Sequence, residues 1–98
     1  MRESEIESYL VKRVKELGGE VRKVKWIGRR GAPDRLVMFP VTQQRFIDGM
    51  WGTLLWVELK APGEKAKPHQ EREHKRMRGM GQRVVVIDSI EGVEELLT

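Results

Sequence analysis

Asp34, Glu58 and Lys60 are the residues whose types and spacing suit phosphate chemistry. Glu58 and Lys60 sit two apart within Thr53 to Lys60, an apolar run that reads as a central strand. A strand's two-residue period puts both on one face and turns Val57 and Leu59 toward the core. A carboxylate and an ammonium on such a strand are costly without partners. Asp34 opens another strand directly after the turn Gly31-Ala32-Pro33. If the two strands pair, both carboxylates reach one point. Two hard oxygen ligands plus a backbone carbonyl make a loose Mg²⁺ site that keeps positions for water and a phosphate. Lys60 beside it suits orienting an attacking water or stabilising charge that develops on phosphorus. Alone, Glu-x-Lys on a strand is ordinarily a solvated edge or a cross-strand ion pair. The company of Asp34 gives it weight.

The elements that must position these groups follow from periodicity. Ile6, Leu10, Val14 and Leu17 recur at helical spacing, and Gly18-Gly19 ends that helix. Val21 to Trp26 alternates Val21, Lys23 and Lys25 against Arg22, Val24 and Trp26, as in a short strand with one apolar and one basic face. Ile27 to Pro33 is a loop, and Asp34 to Phe39 a second strand stopped by Pro40. Val41 to Gly52 reads as a connection around an Asp48-Gly49 hairpin turn, with room for short strand pieces. After the third strand, Thr53 to Lys60, Pro68 opens a helix running to about Met80. Val84 to Ile87 reads as a buried aliphatic strand, and Ser89 caps a last helix through Leu97. The expected fold is α/β, of order αβββαβα, in a single domain 1–98: a mixed sheet flanked by helices. Strands one to three form an antiparallel meander, and the crossover helix brings the fourth in parallel to the third.

Composition narrows the class. The 98 residues contain no cysteine and two histidines, which excludes a disulfide framework, a thiolate nucleophile and Cys- or His-rich metal sites. No stretch approaches the ~18 apolar residues of a membrane span, and the acidic N-terminus lacks a signal-peptide pattern. The expected setting is cytoplasmic and reducing, with no membrane partner. The net charge of +4 is segregated: residues 21–35 and 60–83 each carry +5, while residues 84–98 carry −4. Two basic blocks bracketing a nearly neutral middle suit a polyanion, or else form a basic loop and a solvated helix face. Arg29, Arg30 and Arg35 flank Asp34; Lys67, Arg72, Lys75 and Arg76 follow the Glu58/Lys60 strand. All seven are candidate phosphate-backbone contacts, which position DNA without reading its sequence. Trp26, Trp51 and Trp56 could stack on bases, but in so small a domain they fit core or interface area better. His69 and His74 read as solvent-facing or phosphate-contacting groups without a catalytic role.

Gly31-Ala32-Pro33-Asp34, Val57-Glu58-Leu59-Lys60 and Gln70 on the next helix together resemble the PD-(D/E)xK nuclease superfamily. Within it, the strings Gly28 to Arg35, Val57 to Gly63 and Gln70-x-x-x-His74 resemble the stand-alone, phage-like form of the VRR-Nuc (virus-type replication-repair nuclease) family. That resemblance implies a restriction-endonuclease-like fold and a bacterial or phage-encoded, Mg²⁺-dependent endonuclease, with Mn²⁺ able to substitute, that leaves a 5′-phosphate. It puts the metal on Asp34 and Glu58 and makes Lys60 the third active-site residue. It also brings a first-helix glutamate near the metal, here Glu7, beside the buried stripe, with Glu3 as second choice. Gln70 shares a helix face with Glu73, His74 and Met77 and could hydrogen-bond a carboxylate ligand or a phosphate; otherwise it is a surface first-turn residue.

Members of this form resemble homodimers that cleave branched DNA such as four-way (Holliday) junctions in repair. Small size and three tryptophans agree with a dimer, whose candidate interface is Val41 to Gly52 with Trp51 and Trp56. The rival readings are a non-catalytic nucleic-acid-binding module on a nuclease scaffold and a subunit docking an acidic protein. The Asp34, Glu58, Lys60 set argues against both, because without metal its carboxylates would repel phosphate.

Overall fold

The computed structural model describes residues 1–98. Helix α1 (Glu3–Glu16) buries Ile6, Leu10 and Val14, one side chain per turn, and Gly18 at φ +84° ends it where a Cβ would be strained. Strands β1 (Glu20–Lys23), β2 (Arg35–Met38), β5 (Leu54–Leu59) and β6 (Val84–Ile87) form one sheet in the order β1-β2-β5-β6. The first three are antiparallel neighbours and β6 runs parallel to β5, as the crossover requires. Helix α2 (Pro68–Gly79) makes that crossover with Pro68 in its first turn, and α3 (Ile90–Leu97) starts at Ser89, whose Oγ accepts the Gly92 N–H at 2.9 Å. No helix is long and apolar enough to cross a membrane.

The core lies on one side of the sheet. Ile6, Leu10 and Val14 of α1 and Val93 and Leu97 of α3 pack on Val37, Leu55, Val57 and Leu59. Each such side chain, fully withdrawn from water, contributes about 1.5–3 kcal/mol. Helix α2 covers the other side, with Glu73, His74 and Met77 buried beneath it. The sheet is thus the middle of three layers. Glu94 of α3 pins the outer helices together: it accepts from Tyr9 Oη at 2.6 Å and from Arg13 Nε at 2.7 Å.

Four features depart from the expected layout. First, β3 (Arg45–Ile47) and β4 (Met50–Gly52) form a separate two-stranded ribbon between β2 and β5, so the element order is αβββββαβα. Asp48 and Gly49 form its two-residue turn, both with positive φ, the combination that matches hairpin twist. Second, β1 stops before Trp26. Val24 N–H still reaches the Asp34 carbonyl at 2.9 Å, but beyond it the backbone ladder gives way to a side-chain bond, from Trp26 Nε1 to the Pro33 carbonyl at 2.8 Å. Third, β6 is an edge strand with Val86 exposed, because no strand lies beyond it. Fourth, none of the three tryptophans is in the core. Trp26 stacks on Trp56 and Trp51 on Phe46, so Trp56 does not join Trp51 on the expected interface.

The hydrogen bonds from Arg13, reinforced by that from Tyr9, hold the Glu94 carboxyl below its ordinary range. A carboxylate depressed in the folded state stabilises above its unfolded pKa and loses that contribution as pH falls through its folded value. Glu94→Gln should therefore lower the urea midpoint at pH 7. The gap from the parent chain should close as the pH drops below the usual carboxylate range.

Candidate active site

The register of β2 on β5 places the candidate groups. Arg35 pairs with Val57, so one step further along Asp34 lies opposite Glu58. Directly opposed residues share a face with their Cα atoms about 5 Å apart. Lys60, two residues on, shares that face, and its backbone N–H stays in the ladder through Ile87 O at 2.9 Å. All three groups therefore lie at one end of the sheet, on the side that α2 covers.

Glu58 is 8% exposed and Lys60 9%. Glu58 Oε1 is buried with no hydrogen-bond partner. His74 Nε2 lies 3.4 Å from it, equally unpartnered. His74 is 1% exposed, which corrects the reading of this residue as solvent-facing or phosphate-contacting. The reason is its helix face. Gln70, Glu73, His74 and Met77 share the stripe of α2 that meets the sheet, and α2 lies close enough there to enclose the imidazole. A buried carboxylate expected directly beneath that stripe was the signal that could have found it.

Two of the expected phosphate contacts are held by carboxylates of the chain itself. Arg29 grips Glu73 through two bonds, Nε at 2.9 Å and Nη2 at 2.7 Å, and these hold the Glu73 carboxyl below its ordinary range. Arg35, 12% exposed in its side chain, pairs with Glu7 and, at 2.8 Å, with Asp34 Oδ1. Glu73 is buried and depends on Arg29 for its partner, whereas Glu7 and Asp34 are partly exposed around the mostly buried Arg35. Glu7 is thus linked to Asp34 through Arg35, while Glu3 stays exposed on the first turn. Gln70 Oε1 accepts the Lys67 N–H at 2.8 Å as a helix cap, leaving its amide NH₂ to donate.

The two basic blocks meet in space. Gly31, at φ +86°, lies so close to α2 that a Cβ would fall 2.9 Å from the His69 carbonyl. Partial desolvation first, and then repulsion from Arg30, Lys67, Arg72 and Lys60, push the His69 imidazole below its ordinary pKa. Arg30, Lys67 and Arg72 are exposed around it, while Lys60 is buried. Arg76 is exposed on the same flank, in contact with Glu73 at 3.5 Å. Lys75 lies apart, on the opposite flank, in a cleft shared with Glu64, Glu71 and Asp88. Asp34 opens into a cleft of about 600 Å³ that it shares with Lys23, Lys25, Trp26 and Arg29. Lys23 and Lys25 were not singled out from the sequence, although their place in the first basic block was visible there.

No three Asp, Glu or His side chains converge into a preformed cation cage. A cation here would take few protein ligands and complete its shell from water and phosphate, as Mg²⁺ commonly does.

No protein-family model matches the chain. It is 45% identical over 89 residues to a protein named "Putative nuclease p44" of Acyrthosiphon pisum secondary endosymbiont phage 1, spanning 91% of this chain and 85% of that protein. A solved structure described as a VRR_NUC domain superposes with a TM-score of 0.79 at 38% identity, over 97% of this chain and 92% of the other.

The contrast between Arg29 and Arg30 can be measured. Arg29→Ala leaves the buried Glu73 carboxylate with only Arg76, at 3.5 Å, and should lower the urea midpoint, partly recovered in Arg29→Ala/Glu73→Ala. Arg30→Ala, at an exposed position without an internal partner, should stay within about 0.5 kcal/mol of the parent.

Proposed function

This chain belongs to the VRR-Nuc family of nuclease domains, and on that premise we propose that it is a metal-dependent endonuclease hydrolysing phosphodiester bonds in DNA. The observation that carries the proposal is the unpartnered, buried oxygen of Glu58, set opposite Asp34 by the strand register. Apart from His74 Nε2 at 3.4 Å, which makes no hydrogen bond to it, this buried oxygen has no donor, and a divalent cation would meet its charge. The donor set fits: two carboxylates are hard oxygen ligands of the kind that Mg²⁺ and Mn²⁺ prefer. Asp34 and Glu58 would hold the ion, which supplies Lewis-acid polarisation and an activated water when bound.

The chain's own groups do the rest. Lys60 places a cation on the same face as the carboxylates, where it steadies the phosphate oxygens as charge accumulates on them. Arg35, held by Glu7, fixes Asp34 from the side and keeps its carboxylate aimed. Gln70 offers its amide NH₂ to a phosphate or a carboxylate ligand. Arg30, Lys67, Arg72 and Arg76 line the approach as backbone contacts, with Lys23 and Lys25 on the Asp34 side. Lys75 serves at the periphery.

We extend the reading to branched DNA and a homodimer. The exposed Phe46–Trp51 pair, ring centroids 5.5 Å apart, sits on the ribbon beside a groove of about 770 Å³ floored by Val85 and Ile87 of the edge strand. Asp88, Glu91 and Glu95 also line this groove, which makes it unfit for DNA. A second copy covering it would place two active sites about a two-fold axis, the symmetry that a junction of two strand pairs offers.

Cleavage assays with Mg²⁺ or Mn²⁺ against duplex, flap and four-way-junction DNA test the chemistry. Asp34→Asn and Glu58→Gln should each lose cleavage while retaining DNA affinity, or gaining some as negative charge near phosphate is removed. Full cleavage by either variant would overturn the assignment.

Sedimentation tests the assembly. The parent chain should run at twice 11.4 kDa at micromolar concentration, and Phe46→Ser/Trp51→Ser at the single-chain mass. A parent chain found only at the single-chain mass would rule the dimer out.

A further inference from the structure

Beside the Asp34 cleft lies a second concavity whose composition a backbone-binding surface does not explain. It has a volume of about 530 Å³ and is built from Trp26, Trp56, Ile27, Met77 and Met80, with Arg29 and Arg76 among its polar neighbours. Ile27 is 92% exposed and Met80 65%, which leaves large apolar side chains in water at its lips. The two indoles stand 5.1 Å apart at 47°. Each has its one polar atom satisfied: Trp26 Nε1 donates to the Pro33 carbonyl at 2.8 Å, and Trp56 Nε1 to Gln82 Oε1 at 3.1 Å. The rings are therefore held in place and present only their π faces. Gln82 keeps its amide NH₂ free to donate.

We infer that this cleft is a subsite for one unstacked nucleobase of the DNA whose backbone the adjoining basic surface holds. The inference rests on the nuclease reading and specifies what that site accepts. Three observations select the occupant. The cleft is apolar with Arg29 and Arg76 at its edge and a single acid, Glu73, that both arginines already meet. That suits a flat aromatic group carried on a phosphate; three acids and one arginine, Arg45, line the groove across the molecule. Trp26 and Arg29 also line the Asp34 cleft, so the two concavities adjoin. Trp56 precedes Glu58 by two residues on the same face of β5, about 7 Å along a strand. One strand of duplex DNA advances about 3.4 Å per nucleotide, so the base received here lies within about two nucleotides of the phosphate at Glu58. A base enters only if it is already unpaired or is displaced from its stack. Ile27, at the tip of its loop, is the kind of apolar side chain that wedges between base steps. The cleft thus favours branched or frayed DNA over uninterrupted duplex.

The test is binding by the metal-free protein in chelator, so that cleavage plays no part. Three labelled probes serve: a duplex, a flap with unpaired nucleotides at the branch, and the same flap with abasic sites in that segment. The parent should bind the intact flap about 10–100-fold more tightly than the abasic flap, the range that one base–aromatic stack provides. Trp26→Leu should erase that gap. Ile27→Ser/Met80→Ser, at exposed positions that folding does not depend on, should narrow it by about 3-fold or more. Equal affinity of the parent for both flaps, or a gap that neither variant alters, overturns the subsite while the nuclease reading stands. A fall from two-chain to one-chain mass in the Ile27/Met80 variant also overturns it, since the occupant would then be a second copy. Failure of the parent to bind any of the three probes in chelator, together with no cleavage of any of them in Mg²⁺ or Mn²⁺, overturns the nuclease reading, and the subsite with it.

Discussion

The antiparallel register between β2 and β5 is the constraint on which the rest depends. It sets Asp34 opposite Glu58 and leaves Lys60 on the same face. It also sends Val37, Leu55 and Val57 to the other side, where α1 and α3 cover them. A slip of one residue would exchange the two faces, exposing the core and burying the charges in it. Hydrophobic burial on one side therefore fixes which charges share the other, and the cost of a buried Glu58 is borne by a core that cannot form in another register.

A second order of organisation is ionic. Arg29 and Arg35 flank the Gly31-Ala32-Pro33-Asp34 turn, and each reaches a carboxylate on a helix, Glu73 on α2 and Glu7 on α1. The turn is clamped from both layers, and Gly31 lets it settle directly on the first turn of α2. Loops of this length are ordinarily mobile, and one that carries a candidate site residue depends on such anchors to keep its geometry. Two arginines that look like DNA contacts do that positioning, while Arg30, Lys67 and Arg72 remain on the surface.

The inserted ribbon divides the molecule electrostatically. Arg83, buried beneath it, donates to the Leu54 carbonyl at 2.7 and 3.0 Å and to the Arg45 carbonyl at 2.8 Å. Asp48 accepts from Arg78 Nε at 3.0 Å and from Val84 N at 3.1 Å. Anchored in this way, β3 and β4 carry Phe46 and Trp51 toward the acidic α3 groove, away from the basic surface. The chain's charge segregation becomes two faces with different aptitudes, one for phosphate and one for apolar contact.

Much of this was legible in the residues alone. Periodicity and turn chemistry determined all three helices, the four main strands, the Asp48-Gly49 hairpin turn and the parallel crossover, because each depends on local spacing and on glycine or proline conformation. The set Asp34, Glu58 and Lys60 was legible too, since charges on an apolar strand stand out against their neighbours. Tertiary structure alone decided which charges face inward. Arg29 and Arg30 are adjacent and chemically identical, yet one spans to Glu73 and the other stays free, a choice made by the path of the loop over α2. It likewise enclosed His74, and it split the tryptophans between the basic cleft and the ribbon instead of the core. Such outcomes follow from distances between segments tens of residues apart, and no local pattern encodes those distances.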